Sequence, residues 1–244
     1  MGRRRTATTE RAPEQSASAE QAAVSESAPE PEPHRRGSRL LLAAGLAGAY
    51  GAFAATFRGP RERFWQRMTT TGAGLAAVAL ATDHDLRATR IRARDVALGL
   101  ASAAGLYGLF RVGDRAARQV MPTGAEDIDD VYALRSLRPK AEIAARMALV
   151  IGPAEELFWR GFVLRRMQER TGRWKGAAAA AFAYGGAHVS AGNPTLIGAA
   201  TTAGAYWSAL AAAGMPMGAL IVSHVAWDIW ILLLQPTTEV PAVT

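Results

Sequence analysis

The sequence predicts an all-α fold, a polytopic transmembrane helix bundle that follows a disordered N-terminal tail. Half of the 244 residues are hydrophobic and only 20% are charged, and the apolar residues fall in runs long enough to cross about 30 Å of hydrocarbon. The first 38 residues are instead rich in Ser, Glu, Pro, Ala and Arg, with almost nothing to bury. We therefore divide the chain into a disordered polar tail (1–38), a transmembrane helical domain (39–236) and a short C-terminal tail (237–244).

Apolar runs define the predicted helices of this domain. We expect about seven helices, within a range of about six to eight because the second run is short. The runs are 40–57, 68–82, 95–112, 141–168, 174–189, 195–213 and 216–235. Small residues recur in them, as in 176–181 and 199–204, and allow helix backbones to approach closely in lipid.

Composition limits the classes of function. The chain has no cysteine, which excludes disulfides, thiolate metal sites and cysteine catalysis. Its net charge of +7 comes from Arg and Lys at the ends of apolar runs, where they meet lipid headgroups, so we expect the lipid bilayer and no nucleic acid as a partner. We expect a multi-pass integral membrane protein, located in a bacterial plasma membrane.

Two adjacent carboxylates, Glu155 and Glu156, interrupt the apolar run 141–168. Ionisable groups are costly in a bilayer unless they face a protein interior or a water-filled cavity, so the pair marks a candidate functional site. Arg160 follows Glu156 by four residues and can pair with it along the helix. Taken alone, that pair is equally consistent with a buried ion pair of purely structural role.

Three further polar side chains interrupt the later apolar runs: His188, His224 and Asp228. Counted at about 1.5 Å per residue from one membrane face, they and Glu155 lie roughly 12–22 Å deep. His224 and Asp228 are four residues apart and share a helix face. A lone histidine in an apolar helix is more often a hydrogen-bonded core residue, but the agreement in depth across three helices favours a common site.

The order of these polar residues resembles the motif set of the CPBP intramembrane proteases, which include the CAAX proteases and the Abi-type, bacteriocin-processing proteins. The motif positions are Glu155, Glu156, Arg160, His188, His224 and Asp228. The aromatic residue four before the first histidine is Tyr184, where Phe is usual, with Phe182 nearby. The last position is commonly Asn in the family, whereas an ionised Asp228 accepts hydrogen bonds and does not donate them.

The resemblance implies an intramembrane endopeptidase, a protease that hydrolyses a peptide bond in a membrane-associated or lipid-anchored protein or peptide. It implies that Glu155 and His188 activate a water molecule, and that His224 with Asp228 stabilises the oxyanion. Glu156 also belongs to the predicted catalytic set, where with Arg160 it fixes the neighbourhood of the reacting groups.

The resemblance leaves metal dependence open, because members of the family are often called metalloproteases. Zn²⁺ or another divalent metal can be held by such a set of acids and imidazoles with a position open for water. The predicted ligands are Glu155, His188 and His224, with Asp228 as a fourth ligand or a neighbour of the ion. Without a metal, the enzyme is of the glutamate type.

Two alternatives from other classes are a proton-coupled membrane carrier and a catalytically silent membrane scaffold or immunity protein of the same fold. Intramembrane acids and histidines also build proton relays, although the two halves of this chain show no internal repeat of the kind that carriers have. The substrate is open as well: prenylated C-termini, bacteriocin leader peptides and membrane-tethered regulators fit the resemblance. The Ala-, Gly- and Arg-rich, bacterial-looking composition disfavours prenylated proteins.

Overall fold

The structure is a computed structural model that describes residues 32–120 and 124–235. Within these ranges every regular element is a helix and there is no strand. Eight helices follow one another along the described chain, and the connections that the structure describes are short loops and 3₁₀ turns. They are α1 Glu32–Phe57, α2 Phe64–Thr82, α3 Ala93–Val120, α4 Gly124–Ala133, α5 140–171, α6 Arg173–Ala187, α7 Pro194–Ala212 and α8 Met217–Leu234.

The predicted all-α bundle is confirmed, and all seven predicted apolar runs fall on helices. The eighth helix, α4, was not predicted, because its ten residues carry four acids and bury only a narrow stripe that includes Ile128 and Tyr132. By length and composition, three of the described helices contain candidate membrane spans: Gly37–Phe57, Ala93–Ala116 and Met217–Leu234.

The predicted boundaries of the tails mostly lie outside the described residues. Helix α1 begins at Glu32, seven residues before the boundary that the sequence predicts for the membrane domain. Residues 1–31 and 236–244 are not described, so the disordered N-terminal tail and the short C-terminal tail stay predictions.

Helix α5 combines regular α-helix with two π-helical stretches. Its α-helical segments are Lys140–Arg146, Gly152–Glu156 and Arg165–Thr171, and its π-helical segments are Met147–Ile151 and Leu157–Leu164. The segment that carries Glu155 and Glu156 therefore has a wider, underwound turn on either side. Such π-helical turns within α-helices are frequent at functional sites.

Close helix packing brings the polar helices together. Helix α6 packs along α7, and α8 packs against both α3 and α5. A Cβ added at Gly185 of α6 would lie 2.9 Å from the Cβ and 3.1 Å from the Cα of Thr201 in α7. A Cβ added at Gly152 of α5 would lie 2.6 Å from a methyl group of Val225 in α8. The absence of a side chain at these glycines sets both helix separations, as the small-residue pattern predicts.

Replacement of Gly185 by alanine tests this close packing. We expect Gly185→Ala to lower the free energy of unfolding by about 1–3 kcal/mol, because the new methyl group meets the backbone of Thr201, which cannot move aside cheaply. Thermal unfolding of the detergent-solubilised protein measures the change. The control is Gly108→Ala in α3, where an added Cβ meets nothing within 4 Å and the better helix former should leave the melting temperature equal or higher. Equal melting temperatures for the two variants would contradict the packing argument.

Candidate active site

A cavity of about 630 Å³ lies within the bundle. Most of its wall is apolar and comes from α2, α3, α5, α7 and α8. Its polar side chains include Glu155, Tyr184, His188, His224 and Asp228. The structure thus brings to one cavity the acid, the two histidines and the aspartate that the sequence placed at similar depth.

Tyr184 joins the first acid to the first histidine. Its hydroxyl donates a hydrogen bond to Oε2 of Glu155 at 2.7 Å, and its backbone carbonyl lies 3.0 Å from Nδ1 of His188. A carbonyl oxygen only accepts, so Nδ1 of His188 carries the proton of this hydrogen bond. In the neutral imidazole this tautomer leaves the lone pair on Nε2.

The end of α6 determines where His188 lies. The helix ends at Ala187, and His188 is its C-terminal cap residue. A 3₁₀ turn follows and ends at Gly192, whose φ of 67° belongs to the left-handed region that favours glycine. The side chain of Asn193 then accepts a hydrogen bond from the backbone of Leu196 at 2.7 Å and caps α7. The histidine is therefore held at a defined turn between two helices.

Aromatic residues of α1 also pack against His188. The rings of Phe53 and Phe57 lie 5.1 and 5.6 Å from the imidazole, measured between centroids. Sequence reasoning missed both residues, because nothing in an apolar run distinguishes a phenylalanine that contacts a site from one that faces lipid. Their spacing of four residues, which places them on one helix face, is the signal available from the sequence.

Glu156 lies behind the cavity and joins Arg160 to His224. Its Oε1 lies 2.9 Å from Nη1 of Arg160 and 2.7 Å from Nδ1 of His224. All three side chains are almost completely buried, with at most 2% of each residue exposed. The pairing of Glu156 with Arg160 at four-residue spacing was predicted, whereas the contact with His224 was not.

His224 lies between two carboxylates. Its Nδ1 faces Glu156, and its Nε2 lies 3.4 Å from Oδ2 of Asp228. A carboxylate beside a ring nitrogen excludes a metal ion from that nitrogen only where the nitrogen carries a proton. The predicted ligand set of Glu155, His188 and His224 therefore stays a prediction. Among the described residues, no group of three or more Asp, Glu or His side chains has a geometry that could hold one.

A tryptophan that sequence reasoning missed packs on this histidine. The rings of Trp207 and His224 are stacked, with centroids 4.1 Å apart and planes 17° from parallel. Arg160 also lies against the indole, with Cζ 5.2 Å from the ring centroid. In the sequence, Trp207 stands in an Ala-rich run of α7 that contains no acid, histidine, lysine or arginine, so no chemical pattern marks it.

A comparison with protein families identifies the region that carries this site. Residues 139–230 match the family described as type II CAAX prenyl endopeptidase Rce1-like. The matched range is less than half of the chain, yet it runs from the start of α5 into α8 and contains every predicted site residue. The match confirms the resemblance to the CPBP and CAAX protease family. At the family level it supports a membrane-integral CAAX endopeptidase.

Searches of curated proteins and of solved structures find no significant match.

Removal of the buried guanidinium tests the role of the ion pair. We expect Arg160→Met to lower the free energy of unfolding by about 3–5 kcal/mol, because the buried carboxylate of Glu156 loses a cation while remaining away from water. Thermal or denaturant unfolding in detergent measures the loss. Arg90→Met is the control, since Arg90 is exposed in a loop; it should leave stability within about 0.5 kcal/mol of the wild type. A similar small effect at Arg160 would show that the pair is dispensable.

Proposed function

We propose that the protein is an intramembrane endopeptidase that uses Glu155 and His188 to activate water against a peptide bond of a membrane-anchored protein or peptide. The observation that carries the proposal is the cavity, which combines an acid and two imidazoles with an otherwise largely apolar wall. The apolar wall suits a lipid-embedded chain, while the polar side chains supply groups for hydrolysis.

The hydrogen bonds around Glu155 suit a general base. Tyr184 occupies Oε2, so Oε1 is the oxygen that remains to accept a proton from water. The tautomer of His188 set by the carbonyl of Tyr184 presents Nε2 as a second acceptor. A water molecule bound between the two groups would attack the substrate carbonyl carbon while Glu155 takes up its proton. The same carboxyl group would then return that proton to the leaving amine.

His224 is proposed to stabilise the negative charge that develops on the carbonyl oxygen. Its Nδ1 is fixed by Glu156 at 2.7 Å, while the contact of Nε2 with Asp228 is longer, at 3.4 Å. The Nε2 proton is therefore the one available to an oxyanion in the cavity. Asp228 would hold the ring in orientation from its other side, which suits an acid in the place of the asparagine that is common in the family.

The substrate is proposed to be a lipid-anchored C-terminal peptide, with a prenyl chain as the first candidate anchor. The described cavity wall includes bulky apolar side chains from α2 and α3: Phe64, Trp65, Met68, Leu109 and Phe110. A hydrocarbon anchor placed on these side chains would be removed from water together with the scissile bond. The family match, whose description names prenyl endopeptidases, supports the same substrate class.

The first test removes the two groups proposed to activate water. With a fluorogenic farnesylated C-terminal peptide as substrate and the purified protein in lipid vesicles, we expect Glu155→Gln and His188→Asn to lower kcat by at least about 100-fold. The reason is that each variant loses a proton acceptor for the attacking water. Cleavage is followed by fluorescence and the products by mass spectrometry.

The matched controls for this test are Glu169→Gln and His84→Asn, which make the same chemical changes at exposed residues. Both should keep wild-type turnover. Full turnover in Glu155→Gln, with the fold intact by thermal unfolding, would reject the proposed general base. If the wild type does not cleave this peptide but cleaves a non-prenylated membrane peptide, the prenyl anchor is rejected and the endopeptidase activity is retained.

The second test concerns the metal. We propose that hydrolysis is metal-independent, because both ring nitrogens of His224 face carboxylates. Prolonged dialysis against EDTA and 1,10-phenanthroline, at about millimolar concentration, should leave kcat unchanged. Measurement of bound metal by mass spectrometry accompanies the assay. Loss of activity that is restored by Zn²⁺ or another divalent ion would favour the metal-dependent alternative and would require His224 to leave one of its carboxylates.

A further inference from the structure

Trp207 is completely buried in α7, with none of the residue exposed, and its indole is stacked on the imidazole of His224. The electron-rich face of an indole attracts a cationic ring, and the imidazole of His224 has carboxylates at both nitrogens. Stacking also fixes the plane of the imidazole. With the plane fixed, Nδ1 stays directed at Glu156 and Nε2 at Asp228.

A chain of hydrogen bonds fixes the indole in turn. Nε1 of Trp207 donates to Oγ of Ser223 at 3.0 Å, and Oγ of Ser223 lies 2.9 Å from Oγ of Ser102 in α3. Ser102 directs its own hydroxyl toward the hydroxyl of Tyr206 at 3.4 Å, and that hydroxyl donates to the backbone carbonyl of Ser102 at 3.0 Å. The indole can only donate, so Ser223 accepts from it. The single hydroxyl proton of Ser102 is directed at Tyr206, so Oγ of Ser102 accepts from Ser223.

This chain connects three helices to one catalytic side chain. Ser102 belongs to α3, Trp207 to α7, and Ser223 directly precedes His224 in α8. A shift of any of these helices would therefore move the indole relative to the imidazole.

We propose that Trp207 is a positioning residue for His224, which holds the imidazole in the plane that presents Nε2 to the oxyanion. The inference rests on the proposed function and adds to it a residue outside the motif positions. Trp207 is not part of the cavity wall, so a substrate in the cavity does not touch it. Its removal should therefore impair the chemical step and leave substrate binding intact.

The kinetic test separates these two effects. With the farnesylated peptide, we expect Trp207→Leu to lower kcat roughly 10- to 100-fold, since small misplacements of catalytic groups cost factors of this size. KM should stay within about twofold, because chemistry rather than binding is affected. Trp207→Phe keeps an aromatic ring without the N–H group, and it should recover most of the activity, within about fivefold of the wild type.

The hydrogen-bond chain gives a second arm that does not delete a large side chain. Ser223→Ala should lower kcat by about the same small factor as Trp207→Phe, since each removes one partner of the same hydrogen bond. The double variant Trp207→Phe with Ser223→Ala should be no slower than the slower single variant. If the fold-losses in kcat of the two single variants multiply in the double variant, the two residues act separately, and the hydrogen-bonded arrangement is overturned.

Phe162→Leu is the matched control for loss of a buried ring. Phe162 is also completely buried, but its ring stacks on the ring of Phe158, 5.2 Å away between centroids, and not on an imidazole. We expect a lower melting temperature with kcat unchanged. An equal fall of kcat in Trp207→Leu and Phe162→Leu, or a change in KM alone at Trp207, would overturn the positioning role.

A spectroscopic readout keeps the inference separate from the proposed function. Aromatic ring currents shift the ring protons of a stacked histidine, so NMR of the histidine-labelled protein should show a downfield movement of the His224 ring signals in Trp207→Leu and none in Phe162→Leu. A wild type that cleaves no peptide would defeat the proposed function while this shift would still support the stacking. If the wild type is active but the His224 signals do not move in Trp207→Leu, the positioning inference fails while the proposed function stands.

Discussion

The carboxylate of Glu156 is enclosed by protein and needs charged or hydrogen-bonding partners there, and this requirement organises the site. Two groups meet one of its oxygens, the guanidinium of Arg160 from the same helix and the imidazole of His224 from α8. Without both partners, a buried carboxylate in a hydrocarbon-spanning bundle would cost several kcal/mol. One partner comes from α5 and the other from α8. The carboxylate of Glu156 therefore holds the side chain of His224 in place and also joins two helices that must be adjacent for the cavity to exist.

Adjacent glutamates can serve different purposes because successive side chains on a helix point about 100° apart. Glu155 lines the cavity and receives the hydroxyl of Tyr184, while Glu156 faces Arg160 and His224. The two carboxyls are thus kept from sharing one environment. One lies in the cavity wall and the other contacts the imidazole of His224.

The fold class and the polar side chains of the site were predictable because both depend on local signals. Runs of apolar residues indicate helices, and an ionisable residue within such a run requires a partner wherever the helix lies. The count of residues along each helix placed Glu155, His188 and His224 at similar depth, and they line one cavity. The contact between Glu156 and His224 could not be predicted, since helix rotation about its axis depends on packing and not on depth.

Residues without ionisable groups were missed for a related reason. Phe53, Phe57 and Trp207 contact the two histidines. The sequence does not distinguish a hydrophobic side chain that faces lipid from one that packs in the core or against a histidine of the site. The short helix α4 was missed because its apolar stripe is too small to stand out from its acids. The metal ligands expected from the family resemblance depend on which hydrogen bonds the imidazoles make, and these are set by residues distant in the sequence.

The composition of α5 has a consequence for biogenesis. This helix is not among the three candidate spans that qualify by length and hydropathy, and its buried Glu155, Glu156 and Arg160 make lateral transfer from a translocon into lipid unfavourable when it is alone. We expect α5 to move from the insertion channel into lipid only together with α8, because His224 of α8 is the partner of Glu156. Synthesis of the last helix would then complete membrane integration and assembly in a single event.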